Sequence, residues 1–208
     1  MKAINNFDKM KIALKYWLHG MAHQDPNYYK CLEAINFAEK YHTGVRKDGV
    51  TKEFEHQITI ALYVKTLIKS LLYPWESICV AILHDVVEDY DVSFDEIRQR
   101  FGERVMLGVM AMTKTTRGVK KSEQSYFAGI GEDPIASVVK GADRIHNLQT
   151  MVGVFKLDKQ KEYIAEAVDN ILPAIKVGRN NFHAQELAYE NIKLVMHSQI
   201  QLIQLTWE

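Results

Sequence analysis

The chain is poor in the features that would assign it quickly. Among 208 residues there are only two cysteines, Cys31 and Cys79. That is too few for a disulfide framework or a four-sulfur metal cage, and it fits a reduced, cytoplasmic setting. No charge of one sign predominates: 26 Lys+Arg stand against 26 Asp+Glu, with no basic block. The electrostatic basis for holding DNA or RNA is therefore lacking. No apolar run approaches the roughly 18 to 20 residues that cross a bilayer. Residues 1–21 are interrupted by Asn5, Asn6, Asp8 and lysines, unlike a secretory signal. What remains is an ordinary globular composition, 47% hydrophobic and 25% charged. At about 150 residues per domain, the length predicts one domain, or one with an added terminal helix.

The apolar residues recur at helical spacing almost throughout. Leu32, Ile35, Ala38 and Tyr41 form one stripe, and Ile58, Ala61, Leu62 and Leu67 another. Between them, His42 to Val50 carries Gly44 and Gly49 without periodicity and reads as an ordered loop. Residues 76–89, preceded by Pro74, are apolar almost all round, which predicts a central helix. Ser93-Phe94-Asp95-Glu96 has capping-box spacing. Residues 114–132 read as a mobile connection with at most one short helix. Asp133-Pro134 supplies a start for a long helix to Met151. Two more helices fit about 158–177 and 182–205. No strand alternation of useful length occurs, so the expected fold is all-α, a single bundle of roughly eight to ten helices.

Chemistry intrudes on the most apolar helix. His84-Asp85-Val86-Val87-Glu88-Asp89 places an imidazole and three carboxylates where the pattern predicts burial. Unpaired ionised carboxylates there would cost several kcal/mol or neutralise, so a compensating cation is expected. Residues four apart share a helix face, which sets Glu88 one turn from His84 and Asp89 one turn from Asp85. A second intrusion, Lys140-Gly141-Ala142-Asp143-Arg144-Ile145-His146-Asn147, sets Asp143 and Asn147 one turn apart on one face. Gly141, about 1 kcal/mol worse than Ala in a helix, points to close approach by another helix or a ligand. His56 is a third candidate. His and Asp donors without Cys suit Mn²⁺ or Fe²⁺, with Zn²⁺ also admitted. An open position on such an ion activates water for phosphoester hydrolysis, and Glu88 and Asp89 stand ready to orient it or take its proton. Arg46 and Lys47 are suited to pairing with phosphate.

These residues resemble the HD metal-dependent phosphohydrolases, whose signature order is His, His-Asp, Asp. The fuller string is similar to the hydrolase domain of RelA/SpoT-type alarmone enzymes. It comprises Tyr41-His42-Thr43-Gly44, Arg46-Lys47-Asp48-Gly49, His56, Leu83 to Asp89, Phe101-Gly102, Met112-Thr113-Lys114, Ala142 to Asn147, and Thr150. The resemblance runs from about 31 to 152. It implies an HD phosphohydrolase domain over 25–208 and an N-terminal helical extension over 1–24. It implies one Mn²⁺ held by His56, His84, Asp85 and Asp143, with Glu88 and Asp89 assisting the attacking water. Arg46, Lys47, Asn147 and Thr150 would lie against the nucleotide or its phosphates, with Arg144 contributing. The implied reaction removes the 3′-pyrophosphate of (p)ppGpp, and the chain looks like a stand-alone small alarmone hydrolase. The implied partner is a small nucleotide; homo-oligomerisation and the choice of guanine or adenine stay open. Two departures stand out. The family pattern has Pro-Tyr before the first metal histidine and Pro after it, where this chain reads Lys52-Glu53-Phe54-Glu55-His56-Gln57. Gln149 stands where Arg is common. An HD hydrolase acting on another nucleotide phosphoester and a non-catalytic alarmone-binding module are the alternatives.

Overall fold

A computed structural model describes residues 6–207. The first five residues of the expected N-terminal extension, and Glu208 at the other end, lie outside that span. The chain begins with α1 (Phe7–Ala22), started by Asn6, whose Oδ1 accepts the Lys9 N–H at 3.0 Å. Leu14 and Leu18 of α1 are fully buried, and the helix packs on α2 (Tyr28–Ala38) and α3 (Glu55–Thr66). The N-terminal helix thus contributes buried side chains to the hydrophobic core. The loop between α2 and α3 is braced by a Val45–Lys52 bridge and turns at Gly49, where φ is 74°.

Then come α4 (Pro74–Leu83), the single turn α5 (Val86–Asp89), α6 (Phe94–Phe101) and α7 (Glu103–Met112). In α4 every residue from Ser77 to Leu83 is buried, because α2, α3, α7 and α9 surround it. Its all-round apolar pattern predicted that central position. Ser93 caps α6 as its spacing predicted, accepting the Glu96 N–H at 3.1 Å. The connection over 114–132 contains the one helix that was expected, α8 (Glu123–Glu132), preceded by a two-stranded hairpin that was not, β1 (Thr115–Thr116) with β2 (Val119–Lys120). Each strand has two residues, too short to produce a visible alternation.

The helix α9 (Ala136–Met151) starts on Asp133, whose Oδ1 accepts the N–H groups of Ile135 and Ala136 at 2.9 and 2.8 Å. It is followed by α10 (Leu157–Glu166), a π-helical stretch over Ala167–Ile171, α11 (Leu172–Asn181) and α12 (Glu186–Gln204). Gly141 lets α11 and α12 press against α9. A Cβ there would stand 2.5 Å from Ile192 Cγ2 and 3.1 Å from Ile175 Cδ1, so the glycine serves helix packing, not a ligand. The fold is all-α around α4 and α9. Among the described residues no helix is long and apolar enough to cross a membrane.

Candidate metal centre

The expected helix over 76–89 does not run through. It ends at Leu83, and a new turn starts where the Asp85 carbonyl accepts the N–H groups of Glu88 and Asp89 at 3.1 and 2.9 Å. The Ala81 carbonyl lies 3.0 Å from the His84 ring Nδ1. A carbonyl oxygen only accepts, so His84 carries a proton on Nδ1, which leaves Nε2 as the atom it can offer to a metal ion. The break also corrects the expectation of three buried acids spaced along one helix. His84 is buried and Asp85 partly so, but Glu88 and Asp89 are exposed. Glu88 is turned to the hairpin, where its Oε2 accepts the Lys114 N–H at 2.7 Å.

Three elements converge on His84. His56 and Asp143, from α3 and α9, each offer a donor atom so that the three donor atoms lie within 4.8 Å of one another. His56 Nε2 is 3.2 Å from Asp143 Oδ1, and His84 Nε2 is 3.0 Å from Asp85 Oδ2. Asp85 is held from the other side by Gln57, whose Nε2 donates to Oδ2 at 3.3 Å. His84 Nε2 is buried and makes no hydrogen bond. An orphaned imidazole nitrogen beside carboxylates is costly unless a cation takes its lone pair. The convergent donors of His56, His84 and Asp143, with the Asp85 carboxylate against His84, therefore fit a divalent metal ion.

The electrostatics follow from burial opposed by neighbours. Burial disfavours protonation of His84, yet the carboxylates of Asp85 and Asp143 outweigh it and raise its pKa to about 9, so Nε2 holds a proton wherever no metal ion takes its place. Burial works against ionisation of Asp85, but His84 holds its pKa down to about 2. Asp143 is likewise held well below the usual carboxylate range by Lys140 and His56 despite its burial. Burial lowers His56. Asp89 is raised to about 6 by desolvation and by the charges of Asp85 and Glu88.

The predicted phosphate-binding residues divide. Arg46 reaches from the glycine loop to α9, donating from Nη2 to Asn147 Oδ1 at 3.2 Å and to Thr150 Oγ1 at 3.4 Å. Asn147 Nδ2 in turn donates to Asp143 Oδ1 at 2.7 Å, so a guanidinium is linked through one amide to a candidate ligand. Lys47 is exposed, with Nζ 5.3 Å from the Phe155 ring centroid. Arg144 is not brought to the cluster. It is buried against α10, donating to the Tyr163 carbonyl at 3.2 Å and ion-paired with Glu166.

Several residues escaped the sequence reading. Lys140 pairs with Asp143 Oδ2 at 2.9 Å and is its chief counter-charge; its i,i+3 spacing was the available signal. Gln57, where the family pattern has Pro, ties down Asp85. Glu53 braces the loop: it accepts from Tyr90 Oη at 3.0 Å and from the Gly44 N–H at 3.2 Å, with His42 Nδ1 at 3.5 Å. Tyr90 and Glu53 are far apart in sequence, and nothing local pairs them. A cavity of about 560 Å³ lined by Leu172, Ile175, Lys176, Tyr189 and Lys193 includes none of these groups.

Comparison with known proteins bears on this arrangement. An HD domain model matches residues 34–172. The guanosine-3′,5′-bis(diphosphate) 3′-pyrophosphohydrolase of Aquifex aeolicus (strain VF5) is 30% identical over 158 residues, 74% of this chain and 22% of that protein. A GTP pyrophosphokinase of Streptomyces coelicolor is 29% identical over 177 residues, 80% of this chain and 20% of that one. The chain thus spans about a fifth of the length of the curated relatives it matches. A solved structure of a metazoan ortholog of SpoT, described as hydrolysing ppGpp and playing a role in starvation responses, superposes with a TM-score of 0.60. It is 23% identical and covers 78% of this chain and 93% of its own, a likeness of fold. Since the matched segment takes in all four candidate ligands and two thirds of the sequence, the chain belongs to the HD domain family.

Proposed function

We propose that this chain is a Mn²⁺-dependent hydrolase of alarmone nucleotides. It adds water across the bond between the ribose 3′-oxygen and the pyrophosphate of (p)ppGpp, releasing GDP or GTP and pyrophosphate. His56, His84, Asp85 and Asp143 are the residues that would hold the ion. When bound, a divalent cation supplies Lewis-acid activation of water and offsets charge on the phosphoryl group. The observation that carries the reading is the Arg46–Asn147–Asp143 chain of contacts. It sets a guanidinium, the side chain best matched to phosphate oxygens, beside the candidate ligands. Thr150 accepts from the same guanidinium and offers it a second anchor. Lys47, exposed on the same loop, adds a second cation for the negatively charged phosphate chain.

Glu88 and Asp89 follow directly on the cluster and are exposed to a solvent-borne substrate. Glu88 is steadied by the Lys114 N–H and serves to orient the attacking water. Asp89, raised toward neutrality, is matched to proton transfer near neutral pH. The Aquifex relative is named for hydrolysis of the 3′-pyrophosphate of guanosine-3′,5′-bis(diphosphate), which supports the substrate class. The test is to incubate purified protein and Mn²⁺ with ppGpp, ppApp and ordinary nucleotides and to separate the products. Pyrophosphate should come only from the 3′-modified compounds, and EDTA should stop its release. Equal hydrolysis of ordinary nucleotides, or full activity in EDTA, refutes the proposal.

A further inference from the structure

His146 of α9 has no place in the mechanism above, yet its ring meets that of His56 in the interior. The two Nδ1 atoms are 2.7 Å apart, and the residues are 7% and 5% exposed. At that distance one nitrogen must donate and the other accept, so a single proton lies between the rings. Its owner decides what the far side of His56 offers. With His146 as donor, His56 is protonated at Nε2 and can donate to Asp143 Oδ1, 3.2 Å away. With His56 as donor, Nε2 carries a lone pair directed at the cluster. Only the second arrangement allows ligation through Nε2.

We propose that His146 is the positioning residue that sets the tautomer of His56, so that metal loading and the tautomer of His146 are linked. The inference rests on the reading of His56 as a metal ligand. In the metal-free protein His56 holds its proton on Nε2, and His146 holds its own on Nδ1. In the metal-loaded protein the shared proton belongs to His56 Nδ1. His56 Nε2 has released one proton to solvent, and His146 Nε2 has gained one. Both rings stay neutral, and no net proton is lost. His84 has the same provision in fixed form, since the Ala81 carbonyl holds its Nδ1 proton permanently. His56 has no carbonyl at Nδ1, only a second imidazole, and is therefore switchable.

The test labels the imidazoles with ¹⁵N and records long-range proton–nitrogen correlations without metal and with Zn²⁺, which is diamagnetic. His146 Nδ1 should pass from a protonated to an unprotonated nitrogen shift on loading, with the opposite change at His56 Nδ1. Alongside, Mn²⁺ affinity is measured by electron paramagnetic resonance for wild type, His146→Asn and His146→Ala. An asparagine oxygen can accept near the former Nδ1 position, whereas alanine offers nothing. His146→Ala should lose about 10- to 100-fold in affinity, the usual effect of removing a partner behind a ligand. His146→Asn should bind close to wild type. Thermal midpoints of the metal-free variants separate packing from positioning: a parallel fall in both midpoints with unchanged Mn²⁺ affinity overturns the proposal. So does a His146 that keeps its Nδ1 proton when Zn²⁺ is bound. Wild type that binds neither ion overturns the ligand reading itself, and the inference with it, an outcome visible without any variant.

Discussion

Asp143→Ala should destabilise the metal-free protein far more than the loss of one side chain explains. Asp143 is 5% exposed and, among the described residues, is the only carboxylate paired with the Lys140 ammonium, whose own side chain is 15% exposed. Removing the acid strands a buried cation, and breaking such a pair typically costs about 3–5 kcal/mol. Asn147 Nδ2 loses its 2.7 Å acceptor at the same time. At roughly 2–4 °C per kcal/mol for a chain of this size, the midpoint should fall by roughly 6–20 °C. Unfolding must be followed in EDTA, because bound metal stabilises wild type by mass action and would inflate the difference. The second variant, Lys140→Met with Asp143→Ala, takes out the stranded charge and should recover most of the loss. A single-variant cost below about 1 kcal/mol, or a double variant as unstable as the two singles summed, refutes the account of Lys140 and Asp143 as a mutually dependent buried pair.

Glu88→Gln should leave Mn²⁺ affinity intact while slowing hydrolysis by ~10² or more, because the attacking water loses its carboxylate and its proton transfer to Asp89 is misaligned; single-turnover rates beside a metal titration separate the two, and unchanged turnover removes Glu88 from the mechanism. Asp89→Asn bears on pH. The folded-state pKa of Asp89, raised to about 6 by partial desolvation of its carboxyl and by the charges of Asp85 and Glu88, lies above the ordinary value of about 3.9. The folded protein therefore holds the extra proton, and the stability it contributes is full below the unfolded pKa and lost as pH rises through the folded one. The metal-free variant should accordingly be more stable than wild type above pH 6 and lose that advantage toward pH 4, read by urea midpoints across the range. A constant difference at every pH contradicts the shift.

Most helices were legible because burial on one face imposes a period, and caps mark the ends. Ser93 and Asp133 cap where their spacing says they should, and the solidly apolar α4 lies in the middle of the fold. The break after Leu83 was not legible. There the His84 ring lies 3.0 Å from the Ala81 carbonyl, and hydropathy carries no information about a side chain turned back on its own helix. The hairpin over 115–120 escaped for a different reason: two residues per strand contain no period.

Periodicity by itself determined the all-α class, and polar side chains conspicuous in apolar surroundings, taken with the resemblance to HD phosphohydrolases, nominated His56, His84, Asp85 and Asp143. The resemblance also nominated Arg46, Asn147 and Thr150, and the fold joins those three in hydrogen bonds across a hundred residues. Tertiary structure alone decided that Arg144, three residues before Asn147, belongs to α10 and Glu166, that Gln57 holds Asp85, and that two histidines ninety residues apart share one proton. Periodicity tells which face of a helix is turned inward. Which partner a polar group finds there depends on the packing of other helices against it, and no local stretch of sequence records that.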